Sequence, residues 1–173
     1  MEYRRLGSLE VSVVGIGCNN FGWRTDAAGT AAVVDAALEA GINFFDTADV
    51  YGAGQSEEFL GNALKGRRSK VIIATKFGMK MSDGKQGARP EYVRQALEAS
   101  LRRLRAETID LYQIHCPDPN TPIADTMQAL NGAVKAGKVR ETAARIFPRN
   151  KCVQRVRRPA LDILPAYRTS TVC

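Results

Sequence analysis

Long hydrophobic runs are missing from this sequence, and none approaches the length of a membrane span. Nothing in it resembles a secretory leader, so the expected location is the cytoplasm. Cysteine is sparse. Cys18, Cys116, Cys152 and Cys173 form no CxxC pair and no Cys/His cluster, so neither a disulfide framework nor a metal site is expected. Histidine occurs once, as His115. The dinucleotide fingerprint GxGxxG is also lacking, because Gly15-Ile16-Gly17-Cys18 has no third glycine. What is present is ordinary for a globular domain of 173 residues: 45% hydrophobic and 25% charged.

The formal charge of +7 raises a nucleic-acid reading, which its distribution weakens. From Thr142 onward Arg145, Arg149, Lys151, Arg155, Arg157, Arg158 and Arg168 face only Asp162, so the chain before them is nearly neutral. This basic tail has little aromatic interleaving beyond Phe147 and Tyr167 and no known binding module. Neither a nucleic-acid nor a membrane partner is expected.

Up to Glu141 short apolar runs alternate with amphipathic stretches, the pattern of parallel βα units. Strands are predicted at Val11–Gly17, Asn43–Asp46, Val71–Lys76 and Ile109–His115. Helices are predicted at Thr30–Ala40, in a segment capped by Ser56, from Pro90 through Leu104, and from Thr121-Pro122 to Gly137. Glu57 and Glu58 suit the positive end of the second helix. Four such steps fit an open doubly wound sheet or a barrel, and periodicity does not choose between them.

The polar residues at the strand ends are more informative. Asp46, Lys76 and His115 close three successive predicted strands, and Tyr51 follows the second. Singly, each has a plain structural account: a loop-bonding Asp, a solvent-reaching Lys, a structural His, a loop-anchoring Tyr. Together they fall on one rim of a parallel fold. An ammonium beside a phenol favours the phenolate and makes the phenol a usable proton donor near neutral pH. In this reading Tyr51 is the general acid, Lys76 modifies its acidity, Asp46 orients Lys76 and His115 contacts a substrate carbonyl. Such a set suits carbonyl reduction by a hydride-carrying cofactor.

At these residues the chain resembles the aldo-keto reductase family. The segments MEYRRLG, GINFFDTADVYGAGQSEEFLGNAL, VIIATKFG and IDLYQIHCPDPNTPIADTMQALNGAVKAGKVRE carry the likeness, which runs from Met1 to Glu141. The pattern Asp46-x4-Tyr51-Gly52-x-Gly54-x-Ser56-Glu57 is its most specific part. The resemblance implies an α/β fold, the (β/α)8 TIM barrel, cut off after about four βα units. It implies reduction of aldehydes or ketones with NADPH, NAD being the other option, and a small-molecule carbonyl substrate. It places the catalytic roles on Asp46, Tyr51, Lys76 and His115, and cofactor contacts on Asp46 and around Cys18 and Asn19.

After Glu141 the likeness stops. In a shifted reading frame, codons chosen for Thr142–Lys151 yield Gly-Cys-Ser-Asn-Phe, and codons for Ala166–Cys173 yield Val-Gln-Asn-Glu-Tyr-Ser-Leu. Both resemble later family segments that hold the cofactor. Residues 142–173 are therefore expected to be out of frame and without a defined fold, and the 173-residue chain to be inactive. The alternatives are a non-catalytic binding subunit of the same fold and an inert fragment.

Overall fold

The computed structural model describes residues 1–144. The chain opens with an antiparallel hairpin, β1 (Tyr3–Leu6) and β2 (Leu9–Ser12), turned at Gly7, whose φ of 62° lies in the left-handed region. The sheet proper begins with β3 (Gly15–Gly17). The predicted strand Val11–Gly17 is thus two strands. Val11 and Ser12 pair with Arg4 and Tyr3, while Gly15–Gly17 pair with Phe44–Asp46. One apolar run served two partners, and periodicity carries no mark of such a division.

The helix α1 (Ala27–Glu39) follows, its start fixed by the Asp26 carboxylate accepting from the Gly29 amide at 2.8 Å. Then come β4 (Phe44–Asp46), a 3-10 turn at Tyr51–Gly54, and α2 (Gln55–Ala63). Next are β5 (Ile72–Phe77), α3 (Pro90–Leu104), β6 (Ile109–Ile114), α4 (Ile123–Lys135) and β7 (Val139–Ala144). Pro90 sits in the first turn of α3, where a missing N–H costs nothing. Tyr92, Val93, Ala96, Leu97, Ser100, Leu101 and Leu104 bury the inner face of that helix.

The order β3-β4-β5-β6-β7 is parallel throughout. Alternate residues on each strand face opposite sides. Phe45, Ile73, Phe77, Tyr112 and Ile114 point toward the helices and join Val34, Leu60, Leu101 and Leu130 in the main core. On the other face Ala74 and Leu111 pack with Leu9 of the hairpin, flanked by Leu6, Phe44 and Ile72. The hairpin therefore closes the lower end of the sheet's inner face. Glu141 fixes it there, accepting from the Ser8 amide at 2.9 Å.

Strand β7 runs past Glu141 and pairs Thr142, Ala143 and Ala144 with Tyr112, Gln113 and Ile114. Backbone pairing to β6 accepts these small residues whatever their side chains. The remainder of the predicted tail, residues 145–173, lies outside the described residues. Among the described residues no helix is long and apolar enough to cross a membrane.

Candidate active site

Asp46 and Lys76 are brought together by strand periodicity. Asp46 shares the inner face of β4 with Phe44, and Lys76 shares that of β5 with Ile72 and Ala74. Both stand at the carboxyl ends of their strands. The Lys76 ammonium donates to Asp46 Oδ1 at 2.7 Å and to the Thr47 carbonyl at 2.8 Å. The Lys76 side chain is only 12% exposed and that of Asp46 40%, so the ammonium is held with its carboxylate toward the opening.

Tyr51 begins the 3-10 turn that follows β4. The turn owes its shape to consecutive left-handed residues, Gly52 (φ 56°), Ala53 (φ 55°) and Gly54 (φ 96°). Ala53 bears the ordinary steric penalty of that region, about 1–2 kcal/mol. At Gly52 a Cβ would lie 2.9 Å from the carbonyl oxygens of Phe21 and Gly22, so only glycine fits. The result sets the Tyr51 ring centroid 5.3 Å from Lys76 Nζ. His115, one residue beyond β6 and 5% exposed, meets that ring edge-on, with centroids 5.7 Å apart and planes at 85°. Its amide donates to the Phe77 carbonyl at 2.8 Å, which ties it to the end of β5. All four predicted catalytic side chains lie on one rim.

The predicted cofactor contacts fall at the end of β3. The Cys18 side chain is wholly buried, and burial, with Asp46 adding to it and Lys76 opposing, pushes its thiol far above the ordinary range. Its amide donates to the Asp46 carbonyl and its carbonyl accepts from Ser56 Oγ. Asn19 beside it is exposed. A Cβ on Gly17, the register partner of Asp46, would meet nothing within 4 Å. Asn19, exposed, and the partly exposed Asp46 carboxylate could hold the hydroxyl groups of a ribose. These residues sit on an open rim; a cavity of about 590 Å³ lined by Leu38, Ile42 and Arg67 lies at the opposite ends of the strands.

Sequence reasoning missed the polar layer behind the rim. Ser56 does not cap α2. Gly54 occupies that position, and the Ser56 hydroxyl is buried between Cys18 O and Thr47 Oγ1, each at 2.8 Å. Glu57 is also fully buried, bonded to Thr75 Oγ1 and to Arg103. Asp49 is 1% exposed; burial, with Glu57 adding to it, raises its carboxyl from 3.8 to about 7. The adjoining Ser-Glu of the motif was the available signal, but a helix start explains the same pair equally well.

Comparison with known proteins decides the family. The aldo/keto reductase family model matches residues 13–164. The chain belongs to this family. It is 38% identical over 146 residues to the uncharacterized oxidoreductase YqkF of Bacillus subtilis and 39% identical over 150 residues to the aldo-keto reductase YhdN of the same organism. Each match covers 81% of this chain, and 47% and 45% of the relative. Among solved structures, the holo form of aldo-keto reductase AKR11C1 from Bacillus halodurans superposes with a TM-score of 0.76 at 39% identity, covering 83% of this chain and 50% of that one. A thermostable aldo-keto reductase, Tm1743, in complex with the inhibitor epalrestat, gives the same TM-score at 29% identity, covering 87% and 56%. The described sheet and helices are thus part of an aldo-keto reductase barrel. The chain spans about half the length of the curated relatives it matches.

Proposed function

We propose that the rim of Asp46, Tyr51, Lys76 and His115 is the proton-donating side of a carbonyl-reducing site acting on small aldehydes or ketones. The observation that carries this reading is the fixed ammonium, 2.7 Å from Asp46 and beside the Tyr51 ring. Lys76 favours the phenolate left when Tyr51 gives up its proton, so the phenol donates near neutral pH. Asp46 and the Thr47 carbonyl hold the ammonium in place throughout. His115, packed edge-on against Tyr51, orients the carbonyl oxygen that receives the proton.

NADPH is the expected cofactor, and when bound it supplies the hydride. Asn19 and Asp46 would hold its ribose, with the backbone at Cys18 shaping that end of the rim. We expect the site to work in the cytoplasm. The family likeness makes the late strands the cofactor's cradle, and we expect the 173 residues by themselves to turn over little or no substrate.

The test joins residues 1–141 to the second half of YhdN and follows NADPH oxidation with an aromatic aldehyde. Tyr51→Phe is expected to lower kcat by a factor on the order of 100 or more, with cofactor affinity nearly unchanged. An unaltered kcat would refute the acid role of Tyr51.

A further inference from the structure

Glu57 stands in the first turn of α2, and none of it is exposed. A buried carboxylate must be matched on both oxygens or it is costly. Here Oε1 accepts from Thr75 Oγ1 at 2.6 Å and Oε2 from Arg103 Nε at 2.7 Å. The guanidinium also reaches Ser100 Oγ at 3.3 Å. The helix-dipole role expected for Glu57 does not require burial, and Glu58, exposed in the same turn, serves it equally. Replacing buried ion pairs by apolar packing is often neutral or stabilising, so stability alone explains Glu57 poorly.

Its two partners and its place after the turn point to a different use. Thr75 and Lys76 are neighbours on β5 and face opposite ways, Lys76 to Asp46 and Thr75 to Glu57. Glu57 follows directly on the strained turn that presents Tyr51. Arg103 closes the third side from α3, and its side chain passes so close to Gly54 that a Cβ there would lie 3.0 Å from its Cδ. Helices α2 and α3 are themselves tight at this level, since a Cβ on Gly61 would lie 2.7 Å from the Arg103 carbonyl oxygen.

We propose that Glu57 is a positioning residue: clamped between Thr75 and Arg103, it sets the Tyr51 turn against the strand that carries Lys76. This rests on the reading of Tyr51 and Lys76 as the proton-donating pair. Glu57 touches no reacting group; it acts through the turn. Without the clamp the first turn of α2 loses its tie to β5, and the left-handed residues of the turn relax away from Lys76 and His115.

The only histidine of the chain reports on this geometry, because the Tyr51 ring current acts on the His115 ring protons. Their NMR resonances are measured in the 173-residue chain and in Tyr51→Ala, which gives the position without the ring. Glu57→Ala is expected to move the His115 signals most of the way to that value, and Glu57→Gln part of the way. Thr75→Val, which removes a single hydrogen bond, moves them in the same direction, while Thr75→Ser restores the wild-type position. Leu130→Ala, a core truncation in α4, lowers thermal stability and leaves them in place. Wild-type positions in a folded Glu57→Ala chain would overturn the clamp; if Glu57→Ala does not fold, wild-type positions in Thr75→Val do so. A Tyr51→Ala chain in which His115 does not move would instead sink the rim reading itself.

Discussion

At the scale of single residues, the least comfortable group is Asp49. It lies between Asp46 and Tyr51 with its side chain inside the protein, and Oδ1 has no hydrogen-bond partner among the described residues. Arg103 and, more weakly, Lys76 oppose its shift, but burial and the nearby Glu57 prevail and raise its carboxyl to about 7. The consequence for stability has a definite sign. Below about pH 4 the carboxyl is neutral in both states. Between there and neutrality the unfolded chain gives up the proton while the folded chain keeps it, so stability falls as pH rises through this window and levels off above it. The full effect is on the order of 4 kcal/mol at most, from a shift of roughly three pH units at about 1.4 kcal/mol each. Asp49→Asn imitates the neutral acid. Its stability relative to wild type, measured by urea unfolding, should increase from about pH 4 to about pH 7. A difference independent of pH would show that Asp49 ionises freely in the folded protein.

At the scale of elements, Asn43 makes three hydrogen bonds that tie the hairpin to the start of β4, beside the Glu141 contact to Ser8. Asn43 accepts from the Ser12 amide through Oδ1 at 2.8 Å and donates through Nδ2 to the Glu10 carbonyl at 3.0 Å, while its own amide donates to Ser12 Oγ at 3.1 Å. Asn43→Ala leaves the part-buried Ser12 amide without its partner and should cost about 1–3 kcal/mol, read as a lower urea midpoint with an unchanged slope. An unchanged midpoint would mean that Leu9 packing and the Glu141 contact seat the hairpin without Asn43. None of this was legible in the sequence, where Val11–Gly17 reads as one buried strand. Most other elements were legible from their own punctuation: Pro90 at the start of α3, Gly41 and Gly137 after α1 and α4, and the β-branched residues of β5; β7 was not among the predicted strands. The rim was legible for a related reason. Asp46, Lys76 and His115 are set by strand ends, and strand ends follow from apolar runs. The layer behind it depends on which face of α2 meets which strand. A sequence containing Ser56 and Glu57 suits a helix cap as well as a buried clamp, and only the packing of α2 against β5 and α3 distinguishes the two.

At the scale of the whole molecule, the described residues supply one side of a barrel mouth. The family match continues to residue 164, past the point where the sequence likeness was read to end, and β7 carries the sheet through Ala144. The out-of-frame reading of the segment after Glu141 remains our proposal, and the coding DNA through that codon decides it: an uninterrupted frame in independent isolates would refute it. The mouth also makes a prediction about binding. In the proposed reading Asn19 and Asp46 contact the ribose, whereas the family likeness places the phosphate contacts in the later loops. Two charge-assisted hydrogen bonds to phosphate are worth roughly 3–6 kcal/mol together, which corresponds to on the order of 100-fold in affinity or more. The 173-residue chain should therefore bind NADPH weaker by about that factor than residues 1–141 joined to the second half of YhdN, both measured by fluorescence titration at one ionic strength. Tyr51→Phe should leave both affinities nearly in place, since the role proposed for the phenol is toward the carbonyl and not the nucleotide. Equal affinities of the two chains would mean that these 173 residues already hold the phosphates, and would move the cofactor's cradle into the half of the barrel that carries the acid.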